Sequence, residues 1–287
     1  MVLLHFYLIL GWHMSEKKGN NTKDVGKKIG KEAFDWLKAL IYAVVAVLII
    51  NLFVLENMMV PTTSMVPTIM PGDRLFVEKI TYQSREPEYG DIFAFWTPFV
   101  DKIAQEKLQA FDHFMNMFYP AEYQGHVKYV KRLIGKPGDI IEMELNSDLN
   151  GYHILVNGET PEQLEDLKYE KAGIFNDPDF YLKLAYPDKY KVIIGNQINW
   201  FKYYNESLEY DKAYENMVGD VPRNEYAWYD EESKRIKIKI PEGMYFAMGD
   251  NTNESFDCRY FGFVPEKNIV GRPIIRFWPL NRFGIPK

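Results

Sequence analysis

Ser64 stands in the run PTTSMVPTIMPGD, residues 61–73, which begins a few residues after a long apolar stretch ends. A serine hydroxyl is inert at neutral pH unless a neighbouring group takes its proton, so a nucleophilic Ser64 needs a base elsewhere in the chain. The five histidines, His5, His13, His113, His126 and His153, have no triad-like context. The first two precede the apolar stretch, and the others fall in insert-like or turn-like surroundings. Lysine is the other option, provided that burial makes its neutral amine available near pH 7. In HVKYVKRLIGKPGD, residues 126–139, a strand ending at the Pro-Gly-Asp turn sets Val127, Tyr129, Lys131 and Leu133 on one face. Lys128, Val130 and Arg132 fall on the other, so Lys131 is the lysine of the more apolar face. Spacing alone leaves two readings of it open: a desolvated general base, or an edge lysine whose ammonium reaches water along its own stem. A third stretch, MGDNTNESFDCRYFGFVPE at 248–266, crowds Gly, Asp, Asn and Ser into a tight loop ahead of an aromatic strand. There Ser255 can orient a lysine by hydrogen bonding, and Asp257 and Arg259 can pair as a clamp. Ordinary turn chemistry accounts for the same composition.

Something must bring these three stretches together, and the apolar run sets the frame. Trp36 to Leu55 reads WLKALIYAVVAVLIINLFVL, interrupted only by Lys38 and Asn51. That is the roughly 20 residues needed to cross about 30 Å of hydrocarbon. A cleaved secretory signal would have a shorter apolar core and a small-residue exit, whereas here Glu56-Asn57-Met58-Met59 follows. Lys17, Lys18, Lys23, Lys27, Lys28, Lys31 and Lys38 precede or open the run, and the next basic residue after it is Arg74. The positive-inside rule therefore predicts a cytoplasmic amino terminus and a body from about Glu56 onward on the far side of the membrane. Residues 1–12, MVLLHFYLILGW, are too short to span alone, and Met14 just beyond them favours an upstream mis-assigned start over an extra membrane-associated segment.

The 287-residue chain is long enough for one large domain or two average ones, and its apolar and aromatic fractions, 47% and 16%, suit a strand-rich body. A formal charge of −6, with no basic patch after the run, lacks the phosphate-neutralising footprint of a nucleic-acid binder. The single cysteine, Cys258, cannot form an intramolecular disulfide, and no Cys/His cluster has metal-site spacing, so neither metal nor cofactor is expected. Beyond the run, Asp73–Lys79 and Asp91–Trp96 read as strands entered through Gly-Asp turns. Phe99–Gln124 reads as an amphipathic helical insert, against lipid or over the core. The region from about 146 to 235 reads as a variable subdomain with few clear strands.

Taken in order, the motifs resemble those of the bacterial type I signal peptidases. They are Ser64-Met65-x-Pro67-Thr68 after a span, Tyr89-Gly90-Asp91-Ile92, Tyr129-Val130-Lys131-Arg132-x-x-Gly135-x-Pro137-Gly138-Asp139, and Gly249-Asp250-Asn251 followed by Ser255-x-Asp257-x-Arg259. The resemblance covers the span, 58–98, 126–145 and 240–280. It implies a mainly β, membrane-anchored serine endopeptidase that uses a Ser-Lys dyad to remove signal peptides from exported preproteins after Ala-x-Ala sites. By position, Ser64 is the implied nucleophile, Lys131 the general base and Ser255 the residue that positions its amine. The implied oxyanion donors are the Ser64 backbone N–H and the Thr62 hydroxyl, and Val60, Met65, Ile69, Tyr129 and Val130 fall where the family lines pockets for small side chains. The domain plan that follows has a cytoplasmic segment at 1–35, a transmembrane helix at 36–57, a catalytic β domain at 58–145 and 236–287, and the insert at 146–235. Its setting would be the bacterial inner membrane, single-pass, with the catalytic body outside, near the export translocon. Two departures stand out: Thr252, Asn253 and Glu254 replace the Arg-Asp-Asn common in that loop, and Cys258 stands where serine is frequent. Among rivals, a self-cleaving repressor would carry a DNA-binding domain and no span. A catalytically inactive, membrane-anchored β-rich binding or assembly protein would have no need of Ser64, Lys131 and Ser255 together.

Overall fold

The computed structural model describes residues 22–146, 151–170, 175, 208–210, 227–251 and 253–286. The apolar stretch at 1–12, His5, His13, Thr252 and most of 171–226 lie outside them. The chain divides into two units, Met1–Ile49 and Ile50–Lys287.

Helix α1, Thr22–Phe53, carries the apolar run. It begins well before Trp36 because the lysines, acids and alanine of 22–35 suit a helix and no proline interrupts them. It stops at Phe53 because Leu55 already opens a strand. Lys28–Phe53 is long and apolar enough to cross a membrane, with a mean hydropathy of 2.2 over its most apolar 18-residue window. Its apolar side chains, Leu40, Ile41 and Val47 among them, are exposed, where a soluble core helix would bury one face.

The second unit is mainly β. Its strands are β1 Leu55–Met59, β2 Arg74–Glu78, β3 Ile92–Trp96, β4 Phe99–Asp101, β5 Lys128–Gly135, β6 Ile140–Asn146, β7 Gly151–Val156, β8 Leu208–Tyr210, β9 Ala227–Asp230, β10 Arg235–Lys239, β11 Met244–Met248, β12 Val264–Pro265 and β13 Ile269–Trp278. The described strands form a sheet in the order β1-β2-β13-β3-β5-β11-β12, a second in the order β7-β6-β10-β9, and a pair β4-β8. Alternation explains the outer strands: in β2, Leu75 and Val77 face inward while Arg74, Phe76 and Glu78 do not. Between β13 and β5, β3 is buried on both faces, which is why IFAFW reads as a continuous apolar run. Phe93, Phe95 and Leu133 belong to the larger core, whereas Ala94 and Val130 join Met58, Val60, Met65, Ile69, Leu75 and Val77 in a smaller one.

The first sheet is curled. β2, β13 and β3 separate β1 from β5 in the sheet order, yet Glu56 of β1 accepts a hydrogen bond from Lys128 of β5, and Met58, Val60 and Val130 share one apolar cluster. Glu56 also pairs with Lys79 at 2.7 Å, and that amine donates to the carbonyl oxygens of Asn51 and Leu52 at 2.9 and 3.3 Å. Burial by itself would raise the Glu56 pKa; the ammonium groups of Lys128 and Lys79 more than offset it and hold the carboxyl below its usual range.

Two expectations are corrected. Residues 99–124 are not one helix: β4 is followed by α2, Lys102–Gln105, and α3, Ala110–Asn116. Phe99 is drawn into the core by Tyr129, Phe256 and Phe261, and the Asp101 carboxylate caps a helix that starts only there by accepting from the Ala104 N–H at 2.9 Å. Nor are the described ends of 146–235 short of strands, since β7 pairs with β6, and β9 with β10. The signal was Asn157-Gly158, both at positive φ, turning the chain out of GYHILV.

Gly271 lies where β13 crosses β2. A Cβ there would meet the Glu78 carbonyl oxygen at 1.9 Å, a backbone atom that cannot step aside. Gly271→Ala is expected to lower stability by about 1–3 kcal/mol or more, read as an earlier urea midpoint of the β unit; an unchanged midpoint would mean that the crossing is slack.

Candidate active site

The 61–73 run links β1 to β2 and is closed at its base, where the Gly72 N–H donates to the Val60 carbonyl at 2.8 Å and the Val60 N–H to the Asp73 carbonyl at 3.0 Å. The Asp73 carboxylate is gripped by Arg282 at 3.1 Å and accepts from the Met70 N–H at 2.9 Å. Within this loop Met65 and Ile69 are fully buried and anchor the turn, so that the Ser64 hydroxyl points into the protein with only 6% of the residue exposed.

There it meets Lys131. The Lys131 Nζ donates to Ser64 Oγ at 2.6 Å. Lys131 is 3% exposed, which excludes the reading of an edge lysine reaching water. Cross-strand pairing opposes it to Phe93, and its Nζ sits 5.3 Å from the centroid of the Tyr129 ring. Burial pushes its pKa down to about 8, and the Asp257 carboxylate pulls only part of the way back. About a tenth of the amine is therefore neutral at pH 7 and about half at pH 8, at hydrogen-bond distance from a serine hydroxyl. That is the requirement for abstracting its proton.

Around this pair the structure gathers most of the other sequence candidates. Thr62 Oγ1 lies 3.3 Å from Ser64 Oγ. Asp257 and Arg259 form a fully buried two-point clamp, Nε to Oδ1 at 2.8 Å and Nη2 to Oδ2 at 2.9 Å, and Asp257 also accepts from the Gly249 N–H at 3.0 Å. Burial would raise the Asp257 pKa, but the Arg259 guanidinium overrides it and keeps the carboxyl low. Ser255 is buried beside them, and the expected bond from its Oγ to the Lys131 amine is not formed. Val60, Met65, Ile69 and Val130 form one apolar cluster. Tyr129 faces the other way, packs against the larger core and donates through its hydroxyl to Asp101 at 2.5 Å. Cys258 accepts from the Ala247 N–H at 3.2 Å, and burial drives its pKa well up, which leaves an unreactive thiol. The described histidines are elsewhere: His126 Nδ1 bonds the Thr97 carbonyl at 2.7 Å and His153 lies 3.2 Å from Glu144.

Three residues of the 248–266 stretch were named without a part to play. Asp250 receives Arg132 at two points, 2.8 and 2.7 Å, and the Thr68 hydroxyl at 2.5 Å, which ties β5 to the Ser64 loop. The Asn251 N–H donates to the Ser64 carbonyl at 3.1 Å. Glu254 accepts from the Thr63 hydroxyl at 2.7 Å. Their type and place in a Gly-Asp-Asn turn gave the only hint, since such contacts join residues far apart in sequence. Among the described residues no group of three or more His, Cys, Asp or Glu is arranged to hold a metal ion.

A buried serine hydroxyl with a desolvated amine at its side is equipped for acyl transfer through a serine, the chemistry of a serine peptidase. Comparison with known proteins agrees: the family model described as "Signal peptidase, peptidase S26" matches residues 33–278. Signal peptidase I of Buchnera aphidicola is 30% identical over 240 residues, covering 81% of this chain and 71% of its own. Signal peptidase I of Leptolyngbya laminosa is 27% identical over 257 residues, 90% of this chain and 85% of its own, and signal peptidase I T of Bacillus subtilis is 28% identical over 269 residues, 93% and 97%. The chain belongs to the signal peptidase family, peptidase S26.

Gly249 is the tightest point of the site. A Cβ on it would lie 2.2 Å from Ser255 Oγ and 2.3 Å from the Ser64 carbonyl oxygen, so only glycine lets this loop rest on the Ser64 backbone. Gly249→Ala is expected to lower kcat about 100-fold by shifting Ser64 relative to Lys131, measured on folded protein; a wild-type kcat would mean that the two backbones need not touch.

Proposed function

We propose that this chain is a membrane-anchored serine endopeptidase that cleaves signal peptides from exported preproteins after small residues, at Ala-x-Ala sites, with Ser64 as nucleophile and Lys131 as general base. Family membership supports the signal peptide as substrate. The observation that carries the assignment of residues is the 2.6 Å bond from a buried Lys131 amine to Ser64 Oγ.

In this reading neutral Lys131 takes the Ser64 proton as Oγ attacks the carbonyl carbon of the small residue, and the Ser64 N–H and Thr62 hydroxyl stabilise the oxyanion. The lysine ammonium then gives its proton to the departing amine, and the acyl chain is left as an ester on Ser64. Neutral again, Lys131 activates the water that hydrolyses this ester. Desolvation serves the reaction twice, since it supplies the free base and strengthens every charge interaction around the oxyanion. β1 ends the sheet order just before the Ser64 loop, so its free backbone edge is available to pair with an extended peptide. Val60 and Val130 offer a shallow apolar wall suited to alanine, with Met65 and Ile69 packed behind them. Lys28–Phe53 is the proposed anchor in the bacterial inner membrane, with the lysine-rich amino-terminal flank inside and the β unit outside, where preproteins emerge from the translocon. Ser255, buried beside Gly249, is the proposed support for the lysine once substrate is bound.

With an Ala-x-Ala preprotein in detergent, Ser64→Ala is expected to lower kcat roughly 10⁶-fold and Lys131→Met about 10²–10⁴-fold, both folded. Undiminished cleavage by the lysine variant would remove the dyad and favour an inactive binding protein or another base.

The pH dependence follows in sign. Protonated Lys131 cannot accept a proton, so kcat/KM should rise with pH through about 8 and level off above it. Burial also brings Lys128 down to about 8. Lys128→Arg, which cannot deprotonate, should therefore keep the rising limb; a flat profile from about pH 6 to 9, or loss of the limb in that variant, would take the base away from Lys131.

A further inference from the structure

The insert that begins at 146 holds none of the motifs quoted above, yet its described part reaches the 249–255 loop. Residues 162–170 are firmly seated. Leu164 is fully buried and Tyr169 nearly so, both within the larger core. Tyr169 exchanges backbone hydrogen bonds with Tyr152 of β7 at 2.8 and 3.0 Å, and its carbonyl oxygen lies 3.0 Å from where a Cβ on Gly151 would stand. The Gln163 carbonyl oxygen is equally close to the corresponding point on Gly90, and Gly90 is the residue whose own carbonyl accepts from Arg132 at 2.8 Å. From this seat Glu170 extends outward, and its Oε2 accepts a hydrogen bond from Asn253 Nδ2 at 2.5 Å.

Asn253 is one of the positions at which this loop departs from the usual Arg-Asp-Asn. Its neighbours hold the nucleophile's turn directly: Glu254 through the Thr63 hydroxyl, and Asn251 through the carbonyls of Ser64 and Thr63, the latter at 3.2 Å. Asn253 and Glu254 are themselves exposed, and the bond of Asn253 runs to the insert and not to the Ser64 turn.

We propose that Glu170 is a positioning residue: fixed to the β unit through Tyr169, it tethers Asn253 and so holds the 249–255 loop against the Ser64 turn. The proposal rests on the reading of Ser64 as nucleophile. It makes the insert part of the catalytic apparatus of this chain, acting through hydrogen bonds and touching no substrate. Loss of the tether should act on chemistry while leaving preprotein binding alone.

The test uses the full chain in detergent with an Ala-x-Ala preprotein, and kcat is expressed per acylatable serine so that misfolded protein drops out. Glu170→Ala is expected to lower kcat about fivefold with KM unchanged. Glu170→Gln keeps an acceptor oxygen and should restore most of that loss. Because the proposed effect on kcat runs through the Glu170–Asn253 bond, Asn253→Ala should cost about as much as Glu170→Ala, and the double variant no more than either. A wild-type kcat in Glu170→Ala, a change confined to KM, no recovery with glutamine, or additive losses would each overturn the proposal. Ser64→Ala is run alongside: if it still cleaves, the nucleophile is misassigned, a separate failure from that of the tether.

Discussion

The site in the β unit depends on keeping one ammonium-forming group, Lys131, out of water. In solvent a lysine amine holds its proton at neutral pH and is useless as a base; buried, it gives up that proton more readily because the charged form is poorly solvated. The surroundings of Lys131 supply the burial: Phe93 across the strand, Tyr129 along it, and the loop of Ser64 over its end. The cost of housing such a group explains the strength of the frame around it. Asp257 and Arg259, both without exposed surface, neutralise one another and hold the glycine on which the site rests. Had Asp257 faced the lysine without Arg259, its negative charge would have pulled the amine back toward the protonated state.

A second, independent set of charges fixes the sheet. Glu56, Lys79 and Lys128 tie β1, the residue after β2, and the first residue of β5 to one another, and a buried set of this kind holds geometry more than it adds stability. Trp96 and Tyr119 rings lie 4.2 and 4.0 Å from the Lys128 amine and shield it further. The strand that carries Lys131, the proposed base, is thus secured at its start by Glu56 and in its middle by Asp250, through Arg132. Lys131 lies between these two points.

Much of this was legible in the sequence, for reasons that differ from residue to residue. The apolar run, the two strands at 74–78 and 92–96 and the turn at Pro137-Gly138-Asp139 are local signals, written in consecutive side chains. Lys131 was half legible: period-two alternation chose its face, but only the curl of the sheet, which no short window encodes, could tell burial from an edge position. Phe99 misled because its aromatic spacing matched a helix, while its partners Phe256 and Phe261 lie more than a hundred residues away in sequence. The grip of Asp250 on Thr68 and of Glu254 on Thr63 was invisible for the same reason, since each joins segments separated by 182 and 191 positions. Ser255 marks the opposite case: its type and spacing announced a bond that the structure leaves unmade.

The separation of Ser64 from Lys131, 67 positions along the chain, has a bearing on the cell's safety. A growing polypeptide exposes the serine long before any base can serve it, and even a completed one stays inert while the lysine is wetted, because a hydrated amine remains charged. On the proposed Ser64–Lys131 pairing, competence arrives only when the sheet has rolled shut. With Ser64 and Lys131 in the proposed roles, the fold doubles as its own safety catch.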